Sequence, residues 1–194
     1  LEAFPGVGAA QFFVNAVDTR TNGVDLGGVW GLGFGDTGLD LAAELHYAET
    51  KITGGSPESE LVTGSDVFGP IQRSRVEKGQ PRVRATLGPT VSYDPITFRL
   101  AFNYWGSVTG KNYMPLDVEK VWGAKWLTDT SISYEPIPEL ALTVGADNVF
   151  DVYPDEWGTV GALYPEIGLT YGVETLPFGV NGGFYYANVQ YTPL

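Results

Sequence analysis

Residues 82–105, RVRATLGPTVSYDPITFRLAFNYW, constrain the fold more than any other stretch of the chain. Every second residue gives Val83, Ala85, Leu87, Pro89, Val91 and Tyr93, then, past a short break, Ile96, Phe98, Leu100, Phe102 and Tyr104, an apolar row. The residues between them, Arg82, Arg84, Thr86, Gly88, Thr90 and Ser92, then Thr97, Arg99, Ala101 and Asn103, are polar or small. Successive side chains of a pleated strand leave opposite faces, so a period of two marks a strand with two unlike faces. The stretch reads as a hairpin turning at Asp94-Pro95. Each arm has about ten residues, against about five or six in the usual soluble strand, and close to the length that crosses a bilayer at a tilt of roughly 45°. Both apolar rows end on tyrosine. An apolar band closed by aromatic rings and backed by a polar face is the pattern of an outer-membrane barrel. The competing reading is a hairpin of a soluble β-sandwich whose apolar row faces a second sheet.

The rest of the chain repeats this alternation. Leu39, Leu41, Ala43, Leu45 and Tyr47 alternate with Asp40, Ala42, Glu44, His46 and Ala48. Residues 9–32 read as one long extended segment, with Val24, Leu26, Gly28, Trp30 and Leu32 in phase and polar residues on both faces around Asp18, Arg20 and Asn22, where the strand projects beyond lipid. Trp126, Thr128, Thr130, Ile132 and Tyr134 alternate with Asp129, Ser131 and Ser133, and Leu140, Leu142, Val144 and Ala146 with Ala141, Thr143 and Gly145. A final strand over 177–192 carries Tyr185, Ala187, Val189 and Tyr191 in one row. This makes about seven long strands, an all-β chain. Their connections alternate between short turns (33–38, 94–95, 135–138) and long loops (52–81, 106–125, 151–176). A sandwich has no reason to sort its loops by length from end to end; a membrane barrel, with short periplasmic turns and long extracellular loops, does. The expected fold is therefore an antiparallel transmembrane β-barrel segment.

Composition removes several function classes. The 194 residues include no cysteine and one histidine, which excludes a disulfide framework, a thiolate metal site and a cysteine nucleophile, and makes a histidine triad or zinc site improbable. A formal charge of −12 argues against nucleic acid as a partner. Mean hydropathy is −0.03, as expected where only alternate residues meet lipid. Leu1-Glu2-Ala3 does not read as a signal peptide, so one has been removed or the chain begins part-way through a longer protein.

Four stretches carry a family resemblance. FFVNAVDTRTNGVDL (12–26) resembles the strand that returns from an outer loop in TonB-dependent outer-membrane receptors, and VEKGQPRVRATLG (76–88) resembles their loop-to-strand passage, with Pro81 and Arg82 at the characteristic place. LTDTSISYEPIPELALTVGADNVFDVYP (127–154) is similar to their penultimate hairpin, with Asn148, Val149, Phe150 and Asp151 matching an Asn-Leu-Phe-Asp signature; FGVNGGFYYANVQY (178–191) is similar to the closing strand. The resemblance spans nearly the whole chain, 1–194, as the C-terminal part of a barrel of about 22 strands with a plugged lumen. It implies uptake of a scarce nutrient (an iron chelate, cobalamin or an oligosaccharide) across the Gram-negative outer membrane, energised through TonB, without catalysis or a cofactor. The implied partners are outer-membrane lipid, the remaining strands and plug domain in the same or a separate chain, TonB through that plug, and the small-molecule nutrient. Nothing in these residues corresponds to the plug or the TonB-contacting segment, and the chain runs past Tyr191 into Pro193-Leu194 where the family ends on an aromatic residue. The alternatives are a small autonomous outer-membrane barrel for adhesion or passive diffusion, and a secreted carbohydrate-binding or carbohydrate-active sandwich.

Candidate site residues follow from the faces. His46, beside Asp40 and Glu44 on the inward face, reads as a ligand contact or, more commonly for a lone histidine, a hydrogen-bonding residue of the lumen. Arg82, Arg84 and Arg99, with Asn103, lie on the lumen face of the 82–105 hairpin, to steer anionic substrates or to pair with carboxylates of the plug or neighbouring strands. Asp147, Asp151, Asp155 and Glu156 gather near an outer loop, either as a calcium site of unusual spacing or as a solvated acidic loop. The loop aromatics Trp105, Tyr113, Trp122, Trp157 and Tyr164 would stack on a sugar or chelate ring, or pack the loops.

Overall fold

The computed structural model describes residues 17–55, 68–111, 119–158, 168–172 and 175–193. In chain order the elements are β1 (Asp18–Phe34), β2 (Thr37–Gly54), α1 (Pro70–Lys78), β3 (Val83–Tyr93), β4 (Ile96–Trp105), β5 (Val108–Lys111), β6 (Glu119–Trp122), β7 (Lys125–Ile137), β8 (Leu140–Asp147) and β9 (Phe184–Tyr191). Seven of the strands form one sheet in the order β1-β2-β3-β4-β7-β8-β9, every neighbouring pair antiparallel, and β5 and β6 form a separate ribbon. The sheet is open. Its edges are β1, of 17 residues, and β9, of 8.

Register turns the alternation of single strands into faces of the sheet. Leu32, Leu39, Val91, Phe98, Ile132, Val144 and Ala187 stand side by side on all seven strands. The adjacent rung, Gly31, Asp40, Thr90, Arg99, Ser131, Gly145 and Tyr186, belongs to the other face. A slip of one residue in any strand would exchange the two faces. The apolar face is left uncovered: Leu32 is 56%, Phe98 43% and Val144 54% exposed. Among the described residues the only further element packed on this sheet is α1, at the long-loop end of β2.

The buried hydrophobic cluster lies off the sheet, beyond the long-loop end. Val108 and Trp122 of the β5–β6 ribbon meet Trp157, with Leu169 and Leu176 packed against them. The helix α1 packs on β5 and β2. Ser74 Oγ donates to the Thr109 carbonyl at 3.5 Å, and Glu77 Oε1 accepts the Ile52 N–H at 3.0 Å.

Three boundaries differ from the sequence reading. The span 52–81, expected as one irregular loop, continues β2 to Gly54 and contains α1, whose sequence PIQRSRVEK has no apolar stripe to announce a helix. The span 106–125 contains the β5–β6 ribbon, whose strands of four residues are too short to show a period. The last strand begins at Phe184 instead of 177, because 175–183 packs as irregular chain against the loop-end cluster and the corner that follows β8.

Candidate functional site

At the long-loop end of the polar face, one rung sets Asp25, His46, Arg84, Trp105 and Lys125 in a line across five strands. Each has a partner. His46 Nδ1 is hydrogen-bonded to Asp25 Oδ1 on the neighbouring strand. The Arg84 guanidinium lies 5.4 Å from the centroid of the Trp105 ring, within cation–π range, and that ring is 6.4 Å from Phe178. Lys125 Nζ is 2.6 Å from Asp155 Oδ1. The next rung inward holds Gly27, Glu44, Thr86, Asn103 and Leu127. Between the two rungs a hollow of about 400 Å³ is lined by Asp25, Glu44, His46, Arg84 and Thr86.

A hydrogen-bonded chain runs from this second rung across the sheet into the corner after β8. Thr86 Oγ1 donates to Asn103 Oδ1 at 3.0 Å, and Asn103 Nδ2 donates to Asp129 Oδ2 at 2.6 Å. Asp129 Oδ1 accepts the Asn148 backbone N–H at 2.8 Å. The buried Asn148 side chain donates to the Val152 carbonyl at 2.8 Å and accepts the Val152 N–H at 3.0 Å. Asn148 and Asp151 both sit at positive φ, 50° and 55°, a region asparagine and aspartate enter more readily than other side chains. Asp151 Oδ1 then accepts the Gly183 N–H at 2.7 Å, tying the corner to the approach of β9. The Asn148, Val149, Phe150, Asp151 motif is thus a backbone corner, with Asn148 closing the turn and Asp151 fastening it. Sequence reasoning did not single out Asp129; the signal was one carboxylate at the head of the otherwise hydroxylic row Asp129, Ser131, Ser133.

The remaining candidates fall in different places. Arg99 lies on the polar face, in a hollow of about 240 Å³ with Asp129, Asp147 and Tyr186. Arg82 does not join it. Its Nη1 is 3.0 Å from Glu49 Oε1, and it lines a cavity with Val83 and Tyr104, residues of the apolar face. Because Arg82 precedes the first residue of β3, the strand's alternation does not govern its direction.

The loop aromatics are also divided. Trp122 and Trp157 are 1% and 3% exposed, with ring centroids 5.2 Å apart, so they form the core of the loop-end cap and offer no face to a ligand. Trp105 is half-buried beneath Arg84. Tyr113 and Tyr164 lie outside the described residues.

Of the acidic group, Asp155 carries a structural load. Its Oδ2 accepts the Gly123 N–H at 2.7 Å, and the Lys125 hydrogen bond, followed by that N–H, holds its carboxyl below the usual range. The hydrogen bond and charge of Asp151 hold the Tyr153 phenol above its ordinary value, and Tyr153 stacks on Tyr171 with centroids 5.9 Å apart. Among the described residues no group of three or more His, Asp or Glu is placed to hold a metal. The arrangement is a wall of polar donors and acceptors with a folded cap at one end. Comparison with known protein families, with curated proteins and with solved structures finds no match to this chain.

Proposed function

We propose that the chain is the C-terminal part of the wall of a TonB-dependent transporter in a Gram-negative outer membrane, a non-catalytic barrel segment whose polar face and capped loops shape the path of a small-molecule nutrient. One observation carries the reading: an antiparallel sheet of seven strands keeps a continuous apolar face that nothing among the described residues covers. In water such a face costs about 25 cal/mol for each Å² of apolar surface. In hydrocarbon it costs nothing. The aromatic margins support the same reading. From Ile96, level with Tyr134, to Tyr104, level with Trp126, β4 spans eight residue steps, or roughly 26 Å along the strand and about 20 Å at a tilt of about 40°. That is close to the apolar band of about 25 Å on a membrane barrel.

An open sheet cannot stand alone in lipid, where each unsatisfied backbone group costs several kcal/mol. The proposal therefore requires further strands at both edges and, for energised transport, a plug through which TonB acts. The test is solubility and location together. Expressed behind a secretion signal in a Gram-negative host, together with the strands that complete its sheet, the chain should sediment with outer membranes, resist alkaline extraction and need detergent for purification. A monodisperse chain in plain buffer would overturn the proposal. A plug-type domain encoded upstream of Leu1 supports the transporter over a small autonomous barrel.

A further inference from the structure

Just beyond the apolar face, at the long-loop end, the outward side of the sheet changes character. The last apolar rung sets Val24, Tyr47 and Val83 side by side. Past it come Asn22 opposite Glu49, and then Arg20 and Lys51, which oppose each other in register on β1 and β2. Like charges directly opposite on two strands repel. The carboxylate between the cations is shared, Glu49 Oε2 lying 2.9 Å from Lys51 Nζ and Oε1 3.0 Å from Arg82 Nη1. Arg20 has no ion pair or side-chain hydrogen bond among the described residues.

A cavity of about 360 Å³ opens on this patch, lined by Lys78, Arg82, Val83, Tyr104, Ser107 and Thr109. Its floor, Val83 and Tyr104, belongs to the apolar face; its walls are ammonium, guanidinium and hydroxyl. Gly106 lines the cavity where β4 leaves β3: its N–H donates to the Val83 carbonyl at 2.9 Å, and a Cβ there would stand 2.8 Å from that oxygen. Lys78 pairs with Glu119 at 2.9 Å, and Glu77 is taken by the Ile52 N–H. Four cations, Arg20, Lys51, Lys78 and Arg82, thus meet three carboxylates in a chain whose overall balance is −12.

We infer that this cavity and the adjoining Arg20, Lys51 and Arg82 patch bind the phosphate of an anionic lipid headgroup. The inference rests on the membrane reading above. An occupant with hydrocarbon below Val83 and Tyr104 and negative charge above them is an amphiphile, and a cationic patch at the edge of the apolar band attracts anionic headgroups. A soluble anion has no use for the apolar floor.

The test reads lipid retained by the detergent-solubilised protein in native mass spectrometry, after reconstitution with equal phosphatidic acid and phosphatidylcholine. Wild type should retain phosphatidic acid preferentially, Arg20→Gln and Arg82→Gln should each lower its retention about five-fold, and Arg82→Lys should restore most of it. Alkaline extraction of membranes carrying the same proteins separates the two claims. Extraction of the wild type removes the membrane reading and this site with it. An integral protein that holds both lipids equally, or whose Arg20→Gln/Arg82→Gln double variant keeps its phosphatidic acid, overturns the headgroup site alone. Displacement of the lipid by inorganic phosphate as readily as by phosphatidic acid also overturns it, by reducing the cavity to a site for free anions.

Discussion

Asn103 on β4 donates to one oxygen of Asp129 on β7 at 2.6 Å, and the other oxygen of that carboxylate receives the backbone N–H of Asn148 at 2.8 Å. One side chain therefore joins the polar face to the corner that turns the chain away from β8. Asp129→Ala leaves both donors without an acceptor, at about 1–3 kcal/mol for each group that water does not reach. Asp129→Asn should cost less, because the Asn103 amide can turn over, offering its oxygen to the new amide and its NH₂ to Thr86. Unfolding midpoints in detergent should rank wild type above Asp129→Asn above Asp129→Ala. Equal midpoints for all three would remove Asp129 from the scaffold.

Asn148 combines a left-handed backbone with two hydrogen bonds to Val152. Asn148→Gly keeps the backbone and loses the bonds; Asn148→Ala loses both, adding roughly 1–2 kcal/mol of conformational strain. Limited proteolysis between 148 and 158 should be fastest for the alanine variant, intermediate for glycine and slowest for wild type.

The two faces of the sheet should answer charge differently. Leu100→Arg places a cation midway along the apolar face of β4 and should cost about 2–4 kcal/mol in a bilayer. Ser131→Asp, on the other face and in register with Arg99, should change stability by less than about 0.5 kcal/mol. Urea unfolding from lipid vesicles, followed by tryptophan fluorescence, measures both. A neutral Leu100→Arg would mean that the apolar face does not meet hydrocarbon.

The cap should loosen in acid. Lys125 and the Gly123 N–H hold the Asp155 carboxyl below its unfolded value near 3.9. The pair's contribution is therefore complete above about pH 4 and is lost as pH falls through the lower folded pKa. Both partners are partly exposed, so the contribution is below about 1 kcal/mol. Emission from Trp122 and Trp157 should shift to the red over that acid range, and the shift should move to higher pH in Lys125→Gln.

The arms of the sheet were legible because each is long enough to state its period. The row Val83 to Tyr93 predicts β3, and the row Ile96 to Tyr104 predicts β4 but for its last residue, Trp105. The cap was not legible. Helix α1 has no apolar stripe and is held by Ser74 reaching Thr109 and Glu77 reaching Ile52, contacts between residues 25 or more positions apart. The same distance in sequence hid the partners within the loops: Trp122 and Trp157 read as rings that stack on a ligand or pack the loops, and they pack on each other. The polar face was legible in kind but not in wiring: Arg84, His46 and Asn103 fall on the expected side, whereas Arg82, just outside its strand, does not.

The two rims of the sheet are unequal, 17 residues along β1 and 8 along β9. Laid against each other, they would pair over 8 residues at most and leave about half of β1 without partners along that seam. If the proposed barrel holds, a neighbour that satisfies both edges is taller beside β1 than beside β9.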